Sequence, residues 1–391
     1  MQTIATSIGF QMSLILFAAL TGHLLAIALR QPAVVGEILI GLLIGPTLFG
    51  WIDYTDFISG IAQLGAIALL FGVGLEFKIK EILTPTNAFI ALLGVVVSWL
   101  AGLELALAFG FDTQRAMLIG VTLSATSIAV TADVLRELGQ LHSNTAKIII
   151  GAAVLGNVLA LLALSYVRHA LVSDFNLMDG VTMAAKGLGF FAVAAAVGRM
   201  LLAQWIQRLD QTSIANRYPQ LVFIFAMLVA FSYAMLAEWA GLSAILGAFI
   251  AGISLEGIEL RVSRRFREGA DYLRILFGAV FFVSLGVLAD LRAFTLNELI
   301  FVLILTATAV FSKWIGSGLP AWVLLKRFDQ AMMIGMCMVP RGEVSMVIAL
   351  FALNEGLIEQ PAYISLILMS LLTMIAGPFV IKGLLKRSHV I

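Results

Sequence analysis

Three stretches of this chain set polar or ionisable side chains inside apolar sequence. "FSKWIGSGLP" carries Lys313 far from either end of its run, and "CMVPRGEVSM" (337–346) carries Arg341 and Glu343. "LSATSIAVTADV" (123–134) packs Ser124, Thr126, Ser127 and Thr131 into eight residues. A charge at mid-membrane depth is costly and is a functional hypothesis by default. Lys313 has no acid near it in sequence, so its partner must come from another segment. Pro340 lacks an amide hydrogen and clashes with the preceding turn, and Gly342 adds freedom, so 337–346 reads as a helix break. The Ser/Thr run reads as a second interruption, against the plainer alternative of hydroxyls bonded back to their own helix. Non-helical backbone survives in a bilayer only when buried in protein or facing a water-filled cavity. Two interrupted helices crossing near the midplane would bring half-helix ends of opposed partial charge to one point. That is a site for a small ion.

The rest of the chain supplies the setting. Of 391 residues, 61% are hydrophobic and 12% charged, and the mean hydropathy is +1.05. A soluble protein carries roughly 25% charged residues. Apolar runs of about 20 residues, enough to cross the hydrocarbon core, alternate with short polar connections. The fold class is therefore an all-α polytopic membrane protein. About 13 transmembrane helices are predicted near 8–29, 33–51, 57–76, 86–109, 114–135, 146–167, 180–203, 219–239, 241–256, 272–289, 294–325, 330–353 and 361–381. No stretch is polar enough for a soluble domain, so transport, conduction or intramembrane chemistry remain as functions. The chain does not read as an enzyme, and no cofactor is implied. The G-x-x-x-x-G-K-[ST] motif is absent, which argues against an ATP-driven pump. The lone Cys337 excludes an intrachain disulfide.

Of 24 Lys and Arg, eighteen fall on the odd-numbered connections and the C-terminal end, four on the opposite side, and Lys313 and Arg341 inside spans. The positive-inside rule then puts the N-terminus outside and the C-terminus in the cytoplasm. The basic loop 261–274 reads as an inner-leaflet anchor to the lipid bilayer. Nothing suggests a nucleic-acid partner.

Thirteen spans divide as six, one and six. Repeats offset by seven spans have opposite orientation, the inverted repeat common in secondary transporters. The two unusual segments, in the fifth and twelfth spans, lie seven apart. An inverted 6+1+6 repeat with two broken crossing helices follows. Glu37, Glu76 and Asp133 lie nearer cytoplasmic span ends and are secondary candidates, Asp133 as the lining of an entry funnel. His23 reads as a packing residue.

The segments "QPAVVGEILIGLLIGPTLFG", "LGAIALLFGVGLEFK", "SATSIAVTADVLRELG", "IIIGAAVLGNVLAL", "SKWIG" and "VPRGEV" occur in one order and spacing. In that combination the chain resembles the bacterial monovalent cation:proton antiporters, above all Na+/H+ antiporters of the elevator type. The resemblance implies a membrane-embedded homodimer in the bacterial inner membrane, moving a monovalent cation against protons. It implies a dimerisation part at 1–79 and 216–290, a moving core at 86–170 and 294–385, and a linker helix at 180–208. Thr126 and Ser127 would match the family's ion-coordinating break, with Thr131 beside them. Lys313 would match its core lysine, and Arg341 and Glu343 an ion pair at the second break.

One place departs from that pattern. Where the family carries Asp-Asp or Asn-Asp, this chain has Gly156 and Asn157. An amide can offer an oxygen to Na+ or K+, or bond Lys313, but it cannot titrate. Four readings follow: a variant of an antiporter held in one state, an antiporter whose proton rides on Lys313, a transporter of a small anion such as a carboxylate or bicarbonate using Lys313, and a transport-dead variant or sensor.

Overall fold

Short polar side chains start the helices by accepting hydrogen bonds from their first free amides. Ser7, Thr55, Thr84 and Asp112 each accept from the backbone N–H three residues on. Thr295 and Glu298 form a reciprocal capping box. At two C-terminal ends the chain turns through the left-handed region, at Arg30 (φ 54°) and Lys326 (φ 56°). The computed structural model describes residues 7–76, 82–137, 139–141, 143–170, 177–218, 220–256 and 263–387. The expected cytoplasmic residues Lys78, Lys80 and Arg261 lie outside these.

In chain order the helices are α1 (Ile8–Leu29), α2 (Ala33–Ile44), α3 (Asp56–Leu75), α4 (Pro85–Ala108), α5 (Thr113–Ser124), α6 (Ile128–Glu137), α7 (Asn144–Ala170) and α8 (Leu177–Val197). They continue with α9 (Ala203–Asp210), α10 (Ser213–Arg217), α11 (Gln220–Trp239), α12 (Ala244–Ser254), α13 (Ser263–Leu288), α14 (Leu296–Leu325), α15 (Phe328–Cys337), α16 (Glu343–Asn354) and α17 (Gln360–Arg387). Among the described residues there is no strand. Ten helical stretches are long and apolar enough to cross a membrane, counting Thr113–Glu137 as one, and α2, α12 and α16 are shorter apolar helices. Together these fall on the thirteen expected segments, and the number thirteen rests on counting the three short helices as crossings.

The chain divides into two compact units. One comprises Met1–Tyr54, Lys80–Val167 and Leu285–Ile391, and the other Thr55–Ile79 and Arg168–Ser284. In the first, α4 packs against α5 and α14 at close quarters. A Cβ on Gly120 would lie 2.4 Å from the Trp99 carbonyl oxygen, and one on Gly316 would lie 2.9 Å from Val97 Cβ. Lipid gives helices no hydrophobic reason to associate, so small residues that let backbones approach supply the packing instead. The second unit uses the same device. Gly74 and Gly252 bring α3 onto α12, and Tyr233 of α11 donates its hydroxyl to Ala194 O of α8 at 2.8 Å. Lipid-grade side chains such as Leu20, Ile27 and Leu303 are left outward.

Candidate ion-binding site at two interrupted helices

The fifth and twelfth expected spans are each a pair of half-helices. α5 ends at Ser124 and α6 begins at Ile128, and α15 ends at Cys337 and α16 begins at Glu343. All four, with α4, α7, α14 and α17, belong to the first unit. The irregular segments meet backbone to backbone, Ser127 N–H donating to Pro340 O at 2.8 Å. Gly342 permits this approach, since a Cβ there would lie 2.4 Å from Ser127 Oγ.

Breaking a helix frees carbonyls that must find donors. At the end of α15, Thr131 Oγ1 donates to Cys337 O (2.7 Å) and Thr126 Oγ1 to Met338 O (3.2 Å). At the end of α5 the donors are cationic. Lys313, projecting from α14, places Nζ 2.5 Å from Ser124 O and 3.5 Å from Gly94 O of α4. The Arg341 guanidinium donates to Ala125 O (2.9 Å), to Ala309 O (2.8 Å) and more distantly to Met338 O (3.5 Å). The sequence pairs Arg341 with Glu343, whereas here the guanidinium's hydrogen bonds go to carbonyl oxygens. Glu343 is the first residue of α16, and its Oε2 accepts from Ser127 Oγ at 3.2 Å. Ser127 Oγ in turn accepts from Val130 N at 3.4 Å, capping α6. Charge is thus sorted by helix polarity, cations at the ends of α5 and α15 and the carboxylate at the starts of α6 and α16.

Asn157 answers the question raised by an amide in a bilayer. Its Oδ1 accepts from Thr126 N at 2.8 Å, and its Nδ2 donates to Thr126 O at 2.9 Å. One side chain satisfies both main-chain groups of a residue that has left the helix. An ionised carboxylate could take the first bond but not the second. A Cβ on Gly156 would meet only Val95 Cγ2, at 3.8 Å, so that position is open. Lys313, Arg341 and Ser127 are 0% exposed and Glu343, the most accessible member of the group, 5%, so every bond here is made out of water.

The secondary candidates have contacts of their own. Asp133 is exposed and pairs with Arg136 at 2.5 Å. Glu37 is buried in α2, with an oxygen 3.8 Å from His23 Nδ1. Glu76 belongs to the second unit and pairs with Arg274 at 3.3 Å. Sequence reasoning missed Gly94 and Ala309, whose carbonyls receive the charged groups, and Thr373, whose Oγ1 accepts from the main-chain Arg341 N at 3.1 Å. Backbone acceptors carry no side-chain signature. Among the described residues no group of three or more His, Cys, Asp or Glu could hold a metal ion.

Residues 13–387 match the family model described as "Sodium/hydrogen exchanger, transmembrane". The chain belongs to that exchanger family. It is 30% identical to the Na(+)/H(+)-K(+) antiporter GerN of Bacillus cereus, covering 95% of each chain. It is 29% identical to a Na(+)/H(+) antiporter of Enterococcus hirae, over 96% of this chain and 97% of that one. Its fold matches the sodium proton antiporter MjNhaP1 from Methanocaldococcus jannaschii with a TM-score of 0.75 and 19% identity, covering 98% of this chain and 99% of that one. Exchanger membership and the all-helical membrane fold agree with the two interrupted helices.

Proposed function

We propose that this protein is a secondary transporter exchanging a monovalent cation, Na+ or K+, for protons across the bacterial cell membrane. The names of its relatives support cation:proton exchange. The observation that carries the reading is the seat of Lys313, a buried ammonium held by the Ser124 carbonyl at the end of α5 and, more distantly, by the Gly94 carbonyl within α4 rather than by a carboxylate. Those oxygens suit a hard monovalent cation equally well, as carbonyl rings do in potassium filters. When Lys313 gives up its proton, its amine no longer needs them and an entering cation can. Ammonium and cation together would place two positive charges on one pair of oxygens, beside Arg341. Occupancy is therefore exclusive, and exclusivity makes exchange obligatory.

In this scheme Asn157 neither titrates nor has to. It holds Thr126 in the break while the proton rides on Lys313. The remaining features of the proposal come from family likeness: an elevator-type movement of a core (86–170 and 294–385) against a dimerisation part (1–79 and 216–290), a linker at 180–208, and a homodimer. The basic-residue bias supports an outside N-terminus and a cytoplasmic C-terminus.

A second reading rests on the charge count. Two buried basic side chains stand against one carboxylate at the crossing, which favours a small anion such as bicarbonate or a carboxylate. Proteoliposomes with a trapped pH dye separate the two. Under exchange, adding Na+, K+ or Li+ collapses an imposed pH gradient in the wild type and leaves it standing in Lys313→Ala. Silence toward all three cations overturns the exchange reading. Lys313-dependent uptake of labelled bicarbonate or carboxylate would then establish the anion reading, and its absence a transport-dead protein or sensor.

A further inference from the structure

Many buried serines and threonines of the described helices follow the ordinary habit of transmembrane hydroxyls and bond back to their own helix, those at the crossing bond across to other segments, and Ser317 and Ser345 do neither. Thr122 donates to Leu118 O, Ser165 to Leu161 O, Ser254 to Ile250 O and Ser370 to Leu366 O. Ser317 does not. It is 0% exposed, and its Oγ has no hydrogen-bond partner. A buried hydroxyl without a partner carries a desolvation cost that nothing in the resting arrangement offsets.

Its surroundings suggest what offsets it. Ser317 stands one turn beyond Lys313 on α14, so both side chains leave the same face. That face meets Gly94 of α4. A Cβ on Gly94 would lie 2.5 Å from Ser317 Oγ and 3.8 Å from Lys313 Cε. Glycine at position 94 therefore lets the Ser317 hydroxyl lie directly against α4, and Gly94 O is itself one of the two oxygens holding Lys313 Nζ. Ser317 Oγ is thus an unpartnered buried oxygen on the helix face that carries Lys313, packed against the glycine whose carbonyl the ammonium uses.

We propose that the Ser317 hydroxyl is a ligand of the transported cation, shared with the Gly94 and Ser124 carbonyl oxygens. The ligand class is a monovalent cation that has shed part of its water, since hydroxyl and carbonyl dipoles replace a hydration shell without adding a fixed negative charge. This rests on the exchange reading and adds a residue to it.

The test is binding rather than transport. Purified protein in detergent is titrated with NaCl, KCl or LiCl against choline chloride at constant ionic strength and alkaline pH, and the thermal unfolding midpoint is followed. The wild type should be stabilised by at least one of the three cations. In Ser317→Ala the apparent affinity for that cation should fall about tenfold, the loss of one bond to a charge. Ser317→Thr, which keeps the hydroxyl, should stay within about threefold of wild type. In choline alone the alanine variant should unfold at or above the wild-type temperature, because only an unpartnered hydroxyl has been removed. Equal affinities for wild type and Ser317→Ala, with cation-driven proton flux intact, would overturn the role of Ser317 and leave exchange standing. A wild type with neither cation-dependent stabilisation nor flux would overturn both.

Discussion

Basic side chains in the first unit are partnered in two ways. At the rim they face carboxylates: Arg115 with Asp112 and Glu359, Arg136 with Asp133, Arg292 with Asp290, and Lys382 with Glu137. At the crossing, the Lys313 and Arg341 head groups donate to carbonyl oxygens. The difference is chemical. A carboxylate neutralises its partner and can take a proton in competition with it. A carbonyl at the end of a half-helix offers partial negative charge that never titrates. The rim therefore fixes charges locally and weakly, in water, whereas the crossing holds positive charge on oxygens that another cation could use. Burial makes those oxygens valuable, because none can turn to solvent when its donor leaves.

The largest effect should follow from emptying the crossing of its guanidinium. Arg341→Met orphans Ala125 O, at roughly 1–3 kcal/mol for an unsatisfied buried group, takes a donor from Ala309 O inside α14, and truncates one of the largest fully buried side chains, which leaves a cavity that adds to the loss. Relief of the buried charge offsets part of this, so a loss of about 3 kcal/mol is expected, read as a fall in thermal midpoint in detergent. A midpoint no lower than that of an Arg136→Met rim variant would erase the contrast between the two regions.

Asn157→Asp sharpens the same contrast. The carboxylate keeps the bond from Thr126 N–H but sets an oxygen against Thr126 O, leaving that carbonyl without a donor. A loss of about 1–3 kcal/mol is expected, together with lower cation-driven proton flux. Gains in both stability and flux would instead make residue 157 a ligand position lacking only its charge.

Why some of this was legible in the sequence is a matter of which groups carry the structure. Pro340 and Gly342 break a helix by their own covalent chemistry, so the second interruption could be read directly. The first contains neither residue type and depends on outside support from Asn157, Lys313 and Arg341. Only its density of hydroxyls hinted at it. Thr131 and Asp133 show the limit within a single half-helix. Two residues apart on a 3.6-residue turn, they leave on nearly opposite faces, so Thr131 reaches Cys337 O while Asp133 points to solvent and Arg136. The entry-funnel expectation for Asp133 rested on its depth in the span, which carries no information about that rotation. Lys313 stands mid-segment with no acid near it in sequence, and its side chain is fully buried. Its acceptors, Ser124 O and Gly94 O, are main-chain atoms and had no letter to read.

Smaller effects probe how tightly the crossing is packed. A Cβ on Gly156 finds only Val95 Cγ2, at 3.8 Å, and glycine within a helix costs roughly 0.5–1 kcal/mol relative to alanine. Gly156→Ala should therefore stabilise by about that much, with cation-driven flux unchanged. Gly342→Ala, whose Cβ would lie 2.4 Å from Ser127 Oγ, should do the opposite. If Gly156→Ala destabilised as Gly342→Ala does, the room beside Asn157 would not exist, and a carboxylate could not be restored there.

The smallest effect belongs to the rim. Asp290 accepts from Arg292 at both oxygens, Oδ1 from Nε at 2.9 Å and Oδ2 from Nη2 at 2.7 Å. The hydrogen bonds from Arg292 hold its carboxyl below the ordinary carboxylate value. A folded-state value below the unfolded one means the pair stabilises the protein above the unfolded carboxylate range, near pH 4, and is lost as pH falls through the folded value. Because the pair is exposed and screened by water, the contribution is small. It should shrink further in high salt. Asp290→Asn should thus differ from wild type in thermal midpoint slightly at neutral pH, less in high salt, and not at all once acidification has protonated Asp290. A loss as large as that of Asn157→Asp, or one indifferent to salt, would show that carboxylate pairing at the rim holds this fold as firmly as carbonyl pairing at the crossing.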